Sequence, residues 1–131
     1  MSLPRTRPRL TTLIVEDSPR LQETLIGSVQ TLPGLALAGV ADTASDALLA
    51  VASHRPDLVI LDLSLRGGSG LDVLHAIKQG TPSCCVVVFT GHDTEPMRKR
   101  CRIAGADFFF SKNREHREFI AQLEVLSGET D

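Results

Sequence analysis

Apolar residues along this chain fall into two alternating patterns. Short, dense runs occupy 10–15, 35–40, 58–61, 84–89 and 107–110. Such runs are what strands buried on both faces of a parallel sheet carry. Between them the spacing turns helical: Leu21, Leu25, Val29 and Leu32 in one segment, Ala47, Leu48 and Val51 in the next, then the amphipathic stretch 71–79. A weaker helix is expected over 95–104, where Met97, Cys101 and Ile103 face Arg98, Lys99, Arg100 and Arg102. A last one, over 114–126, carries Phe119, Ile120, Leu123 and Leu126.

Punctuation agrees with this division. Ser18-Pro19 supplies an N-cap and a first helical residue, and Pro33-Gly34 a stop. Thr43 with Asp46 resembles a capping box with Asp in place of Glu. Pro56 and Gly80-Thr81-Pro82 break the chain, Pro96 sits in a first turn, and Gly105 ends the fourth helix. Five strands alternating with five helices imply a parallel sheet covered on both faces by right-handed crossovers. The expected fold class is α/β: a three-layer, flavodoxin-like, doubly wound five-stranded parallel sheet of order 2-1-3-4-5. One domain, 10–126, is expected, between a disordered N-terminal segment 1–9 and a frayed tail 127–131.

Composition narrows the function. With 131 residues and a net charge of -2, the chain has no electrostatic bias toward nucleic acid or anionic membrane. Arg5, Arg7 and Arg9 fall in the Pro-containing start and read as a solvated tail. No apolar run approaches the roughly 20 residues of a membrane span, and the basic start lacks the apolar core of a signal peptide. Cys84, Cys85 and Cys101 lack metal-ligand spacing, and the adjacent pair reads as core residues in a reducing compartment. The four histidines are scattered. A cytoplasmic location is expected.

In a parallel sheet of this kind the polar residues just past the strands share one edge, where ligands bind. Here they are Glu16 and Asp17 after the first strand, Asp62 after the third, Thr90 after the fourth and Lys112 after the fifth. Converging carboxylates repel one another unless a cation sits among them, and Mg²⁺ suits an all-oxygen donor set. Lys112 and Thr90 complete a cradle for an oxyanion held at Asp62, a geometry for phosphoryl transfer to a carboxylate. The loop RGGSG at 66–70 has neither the third glycine of a dinucleotide fingerprint nor the lysine of a P-loop. A haloacid-dehalogenase-like phosphatase would have a second Asp two residues after the nucleophile, where Ser64 stands.

As a set, these motifs resemble the response-regulator receiver domain of two-component signalling. They are Glu16-Asp17, the LDL around Asp62, Gly70, the FTG with Thr90, the GAD at 105–107, and Lys112. The resemblance covers about 10–126. It implies that Asp62 is the phospho-acceptor, and that Glu16, Asp17, Asp62 and the Ser64 backbone carbonyl hold Mg²⁺. It further implies that Thr90 is the switch hydroxyl, Lys112 its ion-pair partner and Phe109 the switch aromatic. Ser64 and His92, two residues beyond Asp62 and Thr90, are expected to flank the water path and tune phosphoryl lifetime. The implied role is a signalling phosphoacceptor rather than an enzyme, charged by a sensor histidine kinase or a histidine phosphotransfer protein. Its output would reach a downstream protein or an attached domain through the helix 4, strand 5 and helix 5 face, by itself or as a homodimer. No output domain follows Leu126, which leaves open a stand-alone receiver or one domain of a longer chain. The rival is a receiver fold that binds partners without phosphorylation. Two residues depart from the family: Asn113 follows Lys112 where Pro is usual, and Arg66 stands where Pro is common.

Overall fold

The computed structural model describes residues 9–128. Its elements are β1 (Leu10–Val15), α1 (Pro19–Gln30), β2 (Leu35–Ala41), α2 (Ala44–His54), β3 (Leu58–Leu61), β4 (Ser64–Leu65), β5 (Gly68–Ser69), α3 (Gly70–Gly80), β6 (Cys85–Thr90), α4 (Glu95–Ile103), β7 (Phe108–Ser111) and α5 (His116–Ser127). The main sheet runs β2-β1-β3-β6-β7, every pair parallel. Counting only its five strands, this is the expected order 2-1-3-4-5, with helices on both faces.

The sheet divides the core in two. On one face Leu13, Val15, Val59, Leu61, Val86 and Val88 pack against α2, α3 and α4 through Ala47, Leu74, Ile77 and Cys101. On the other, Ile14, Leu58, Ile60, Val87 and Phe89 meet Leu25 and Val29 of α1 and Phe119 and Leu123 of α5. Successive strand residues alternate between the two faces, as the pleat requires. Burying each such side chain contributes about 1.5–3 kcal/mol. Phe89 and Phe119 stack with ring centroids 4.0 Å apart, fixing α5 to the sheet.

Local signals hold where they are local. Ser18 Oγ accepts from the Leu21 N–H, and Thr43 Oγ1 from the Asp46 N–H. Helix α2 ends in a left-handed residue, Arg55, with φ of 45°. Other boundaries differ from the sequence pattern. A two-strand hairpin, β4–β5, stands where only a loop was expected. The fourth strand of the main sheet begins at Cys85, and Cys85 is half-buried while Cys84 is fully buried. Helix α5 starts at His116 rather than 114 and runs through Ser127, beyond the expected frayed boundary, before Gly128 closes it with φ of 83°. Arg9 is not part of a free tail, because its guanidinium donates to the carbonyls of Pro33 and Leu35. Residues 1–8 and 129–131 of the expected tails lie outside the described residues. Among those described, no helix is long and apolar enough to cross a membrane.

Candidate phosphoacceptor site

Strand β1 delivers Glu16 and Asp17 to the carboxyl edge of the sheet, and its neighbour β3 delivers Asp62. The Asp62 N–H donates to Val15 O at 3.0 Å and the Glu16 N–H to Ala41 O at 2.9 Å, so both backbones continue the ladder past the last strand residue. Glu16 is 1% exposed and Asp62 5%. Carboxylate oxygens of Glu16, Asp17 and Asp62 lie within 4.8 Å of one another. Lys112, carried past β7, donates from Nζ to Glu16 Oε1 at 2.7 Å and to Asp62 Oδ2 at 2.8 Å.

One ammonium does not balance three carboxylates. Burial pushes the Glu16 carboxyl above its ordinary range even though the Lys112 ammonium and the Ser18 N–H hydrogen-bond to it. Burial alone would depress the Lys112 ammonium, but its hydrogen bonds to Asp62 and Glu16 hold it above the ordinary value. The pocket is short of positive charge. Its donors are hard carboxylate oxygens at one point, which fits a divalent cation of the Mg²⁺ type.

Asp62 is held from below by glycine. The hairpin turns at Arg66-Gly67, with Gly67 at φ of 67°, and brings the chain back so that the Gly70 N–H donates to Leu63 O at 3.0 Å. A Cβ on Gly70 would lie 2.1 Å from Asp62 O and 2.6 Å from Leu63 Cα, so only glycine fits against this peptide. Arg66 pairs with Asp42 and ties the hairpin to the loop after β2. The Ser64 N–H reaches Asp62 Oδ1 at 3.3 Å.

Thr90 ends β6 fully buried, and its Oγ1 accepts from the His92 N–H at 3.1 Å, so the hydroxyl is engaged by its own loop. Ser64 and His92 line a cleft of about 400 Å³ with Asp17, beside Met97 and Arg100 of α4. The loop after Lys112 is formed without proline. The Asn113 N–H donates to Ser111 Oγ and its side-chain amide to Gly91 O, and no cis peptide occurs among the described residues.

The structure therefore gathers Glu16, Asp17, Asp62 and Lys112 in direct contact range, with Ser64 and His92 at the adjoining cleft. Phe109 lies on β7 beyond the pocket, half-buried under Arg98 of α4. Several supports were not anticipated from sequence. Gln22 of α1 donates to Glu16 O at 2.5 Å, and Ser111 Oγ donates to Asp93 Oδ2 at 2.5 Å, joining the loops after β6 and β7. Gln22 is six residues past Glu16, one turn into a helix whose cap was legible, and that spacing was the available signal. The Asp93–Ser111 contact spans two loops and had none.

Residues 12–124 match the family described as the response regulator receiver domain. A probable transcriptional regulatory protein of Mycobacterium tuberculosis, TcrX, is 32% identical over 121 residues, covering 92% of this chain and 51% of that protein. The transcriptional regulatory protein KdpE of the same species is 34% identical over 111 residues, covering 85% and 48%. The solved signal receiver domain of a DNA binding response regulator protein (merR) from Colwellia psychrerythraea 34H superposes with a TM-score of 0.82 at 26% identity. It covers 91% of this chain and 98% of that one. The chain spans about half the length of the curated relatives it matches. By its matched residues, its sheet order and these likenesses, the chain belongs to the response regulator receiver domain family of two-component systems.

Proposed function

We propose that this receiver domain accepts a phosphoryl group on Asp62 from a phosphohistidine of a sensor kinase or a histidine phosphotransfer protein. A carboxylate oxygen of Asp62 forms the new bond to phosphorus as the phosphorus–nitrogen bond breaks, and the imidazole leaves with a proton. The observation that carries this reading is the contact of Lys112 Nζ with both Glu16 and Asp62, inside a ring completed by Asp17. Lys112 orients the Asp62 carboxylate and meets the developing charge with a fixed cation.

Glu16, Asp17 and Asp62, with the Ser64 backbone carbonyl, are the residues that would hold Mg²⁺. When bound, it supplies charge neutralisation to the transferring phosphoryl oxygens. Thr90, one strand over from Asp62, supplies a hydroxyl whose O–H can donate to the new acceptor oxygens while its oxygen accepts the His92 N–H. Ser64 and His92, at the adjoining cleft, govern how water reaches the acyl phosphate. The domain works in the cytoplasm and catalyses only its own phosphorylation and dephosphorylation. It signals through the face formed by α4, β7 and α5 to a downstream protein or an attached output domain, and that face also serves self-association.

Incubation with acetyl phosphate and Mg²⁺, followed by intact mass measurement, tests the reading. One phosphoryl group is expected on the parent and none on Asp62→Asn. Labelling that persists in the Asn variant overturns the assignment. A parent that takes no label from acetyl phosphate or a phosphohistidine donor leaves the rival, a binding module that works without phosphorylation.

A further inference from the structure

Arg98 makes more contacts than an amphipathic helix would assign it. Its guanidinium carbon sits 4.6 Å from the centroid of the Phe109 ring. One terminal nitrogen donates to Phe109 O at 3.2 Å and the other to Glu115 Oε1 at 2.6 Å. That same Glu115 oxygen accepts the Ser111 N–H at 2.9 Å. Glu115 stands at the N-cap of α5 yet makes no side-chain cap bond, because its carboxylate is turned back toward β7 and Arg98. Arg98 Nε is buried without a hydrogen-bond partner, its nearest carboxylate oxygen being Glu95 Oε1 at 3.8 Å. A buried unpaired N–H is a cost that other contacts must hold in place.

Phe109 is a neighbour of the reacting pocket through the sheet. Val88 pairs with Phe109 and Thr90 with Ser111, so Thr90 and Phe109 point to the same face, beneath α4. Any displacement of the Thr90 hydroxyl toward Asp62 opens space on that face next to the Phe109 ring. The ring is free to follow only when the guanidinium above it lets go.

We propose that Arg98 is a positioning residue, a latch that stacks on Phe109 and braces it against Glu115, and so sets how readily the α4–β7 face rearranges. The proposal rests on Asp62 as the phospho-acceptor for its link to signalling, but the latch itself exists before any phosphoryl group arrives. Because ligand and latch act on one equilibrium, loosening the latch must tighten binding of a phosphoryl mimic such as beryllofluoride to the same extent that the mimic loosens the latch. Loss of packing alone would weaken that binding instead.

The sequence offers a clean reporter, since it holds no Trp and no Tyr. Phe109→Trp places a single indole under Arg98. With Arg98 present, acrylamide quenching should report a half-exposed ring, and beryllofluoride with Mg²⁺ should reduce it. Adding Arg98→Ala should by itself lower quenching by about half, as a shift of most molecules between two states would. Arg98→Lys, which keeps the charge but not the planar fork, should fall between and carries the test if the Ala variant does not fold. In the Phe109 background, Arg98→Ala should bind beryllofluoride with Mg²⁺ several-fold more tightly than the parent. Equal quenching with and without Arg98, or equal or weaker beryllofluoride binding in the folded variant, overturns the latch. The quenching comparison needs no phosphoryl donor, so a failure of Asp62 to label leaves it intact and is read separately.

Discussion

Replacing Gly70 with alanine should damage the pocket without touching any polar group in it. The added carbon would sit 2.1 Å from Asp62 O and 2.9 Å from Asp62 C, atoms of backbone rather than of a flexible side chain. Ordinary contacts need about 3.5 Å. The two segments must therefore part by about 1 Å, and the peptide that moves carries Asp62. Overpacking of this kind costs about 2–3 kcal/mol, a large share of the roughly 5–15 kcal/mol that holds a domain together. A shift of about 1 Å in a reacting group can lower a rate by about a hundredfold. Gly27 of α1 provides the matched control, since a Cβ there meets nothing within 4 Å. Gly27→Ala should stabilise by up to about 1 kcal/mol through helix propensity. Urea unfolding of the two variants, with phosphorylation rates from acetyl phosphate, gives both readings. A Gly70→Ala protein with the parent's stability and rate would show that the loop yields freely and that the close approach positions nothing.

Two further outcomes follow from the charges. Burial raises the Glu16 carboxyl, so its ionised form opposes folding when no metal is bound. The metal-free parent should gain stability as pH falls from neutral toward the ordinary value of 4.5, whereas Glu16→Gln should be more stable at pH 7, lack that gain and lose most of the stabilisation by Mg²⁺. Thermal unfolding with Mg²⁺ or with chelator checks it, and equal Mg²⁺ stabilisation in both proteins would remove Glu16 from the donor set. Glu115 has the opposite sign: the Arg98 hydrogen bond holds its carboxyl below the ordinary 4.5. Its contribution is present above that value and disappears as pH falls through the depressed one. Urea midpoints of parent and Glu115→Gln should therefore differ at pH 7 and converge as pH falls below the depressed value.

The strands and the residues gathered at the candidate site were legible because their signals are local. The run at 58–61 and the carboxylate after it are adjacent in sequence, and parallel pairing brings every strand end to one edge. Caps at Ser18 and Thr43 were readable for the same reason. What escaped depends on distant partners. The hairpin β4–β5 has two residues per strand, too few for a period, and owes its position to Gly70 packing on Asp62. Helix α5 begins later than its sequence suggests because Glu115 is drawn to Ser111 and Arg98. Asp107 reads as the first residue of a strand, yet its Oδ2 accepts from the Val86 N–H and Lys78 Nζ, both at 2.8 Å. Arg98 looked like one more solvated charge on a weakly amphipathic helix until Phe109 was placed beneath it.

The division of the core by the sheet has a consequence for how such a chain varies. Thr90 and Phe109 face the side shared by α2, α3 and α4, while the stacked Phe89–Phe119 pair and the α1 contacts occupy the other. The two sets of side chains are interleaved in sequence but separated by a layer of backbone. Substitutions in Leu25, Val29 or Leu123 therefore act on a different layer of side chains from those around Phe109. If Phe109 switches as proposed, a lineage can drift in the packing of one core while the rearrangement beneath α4 is held under selection.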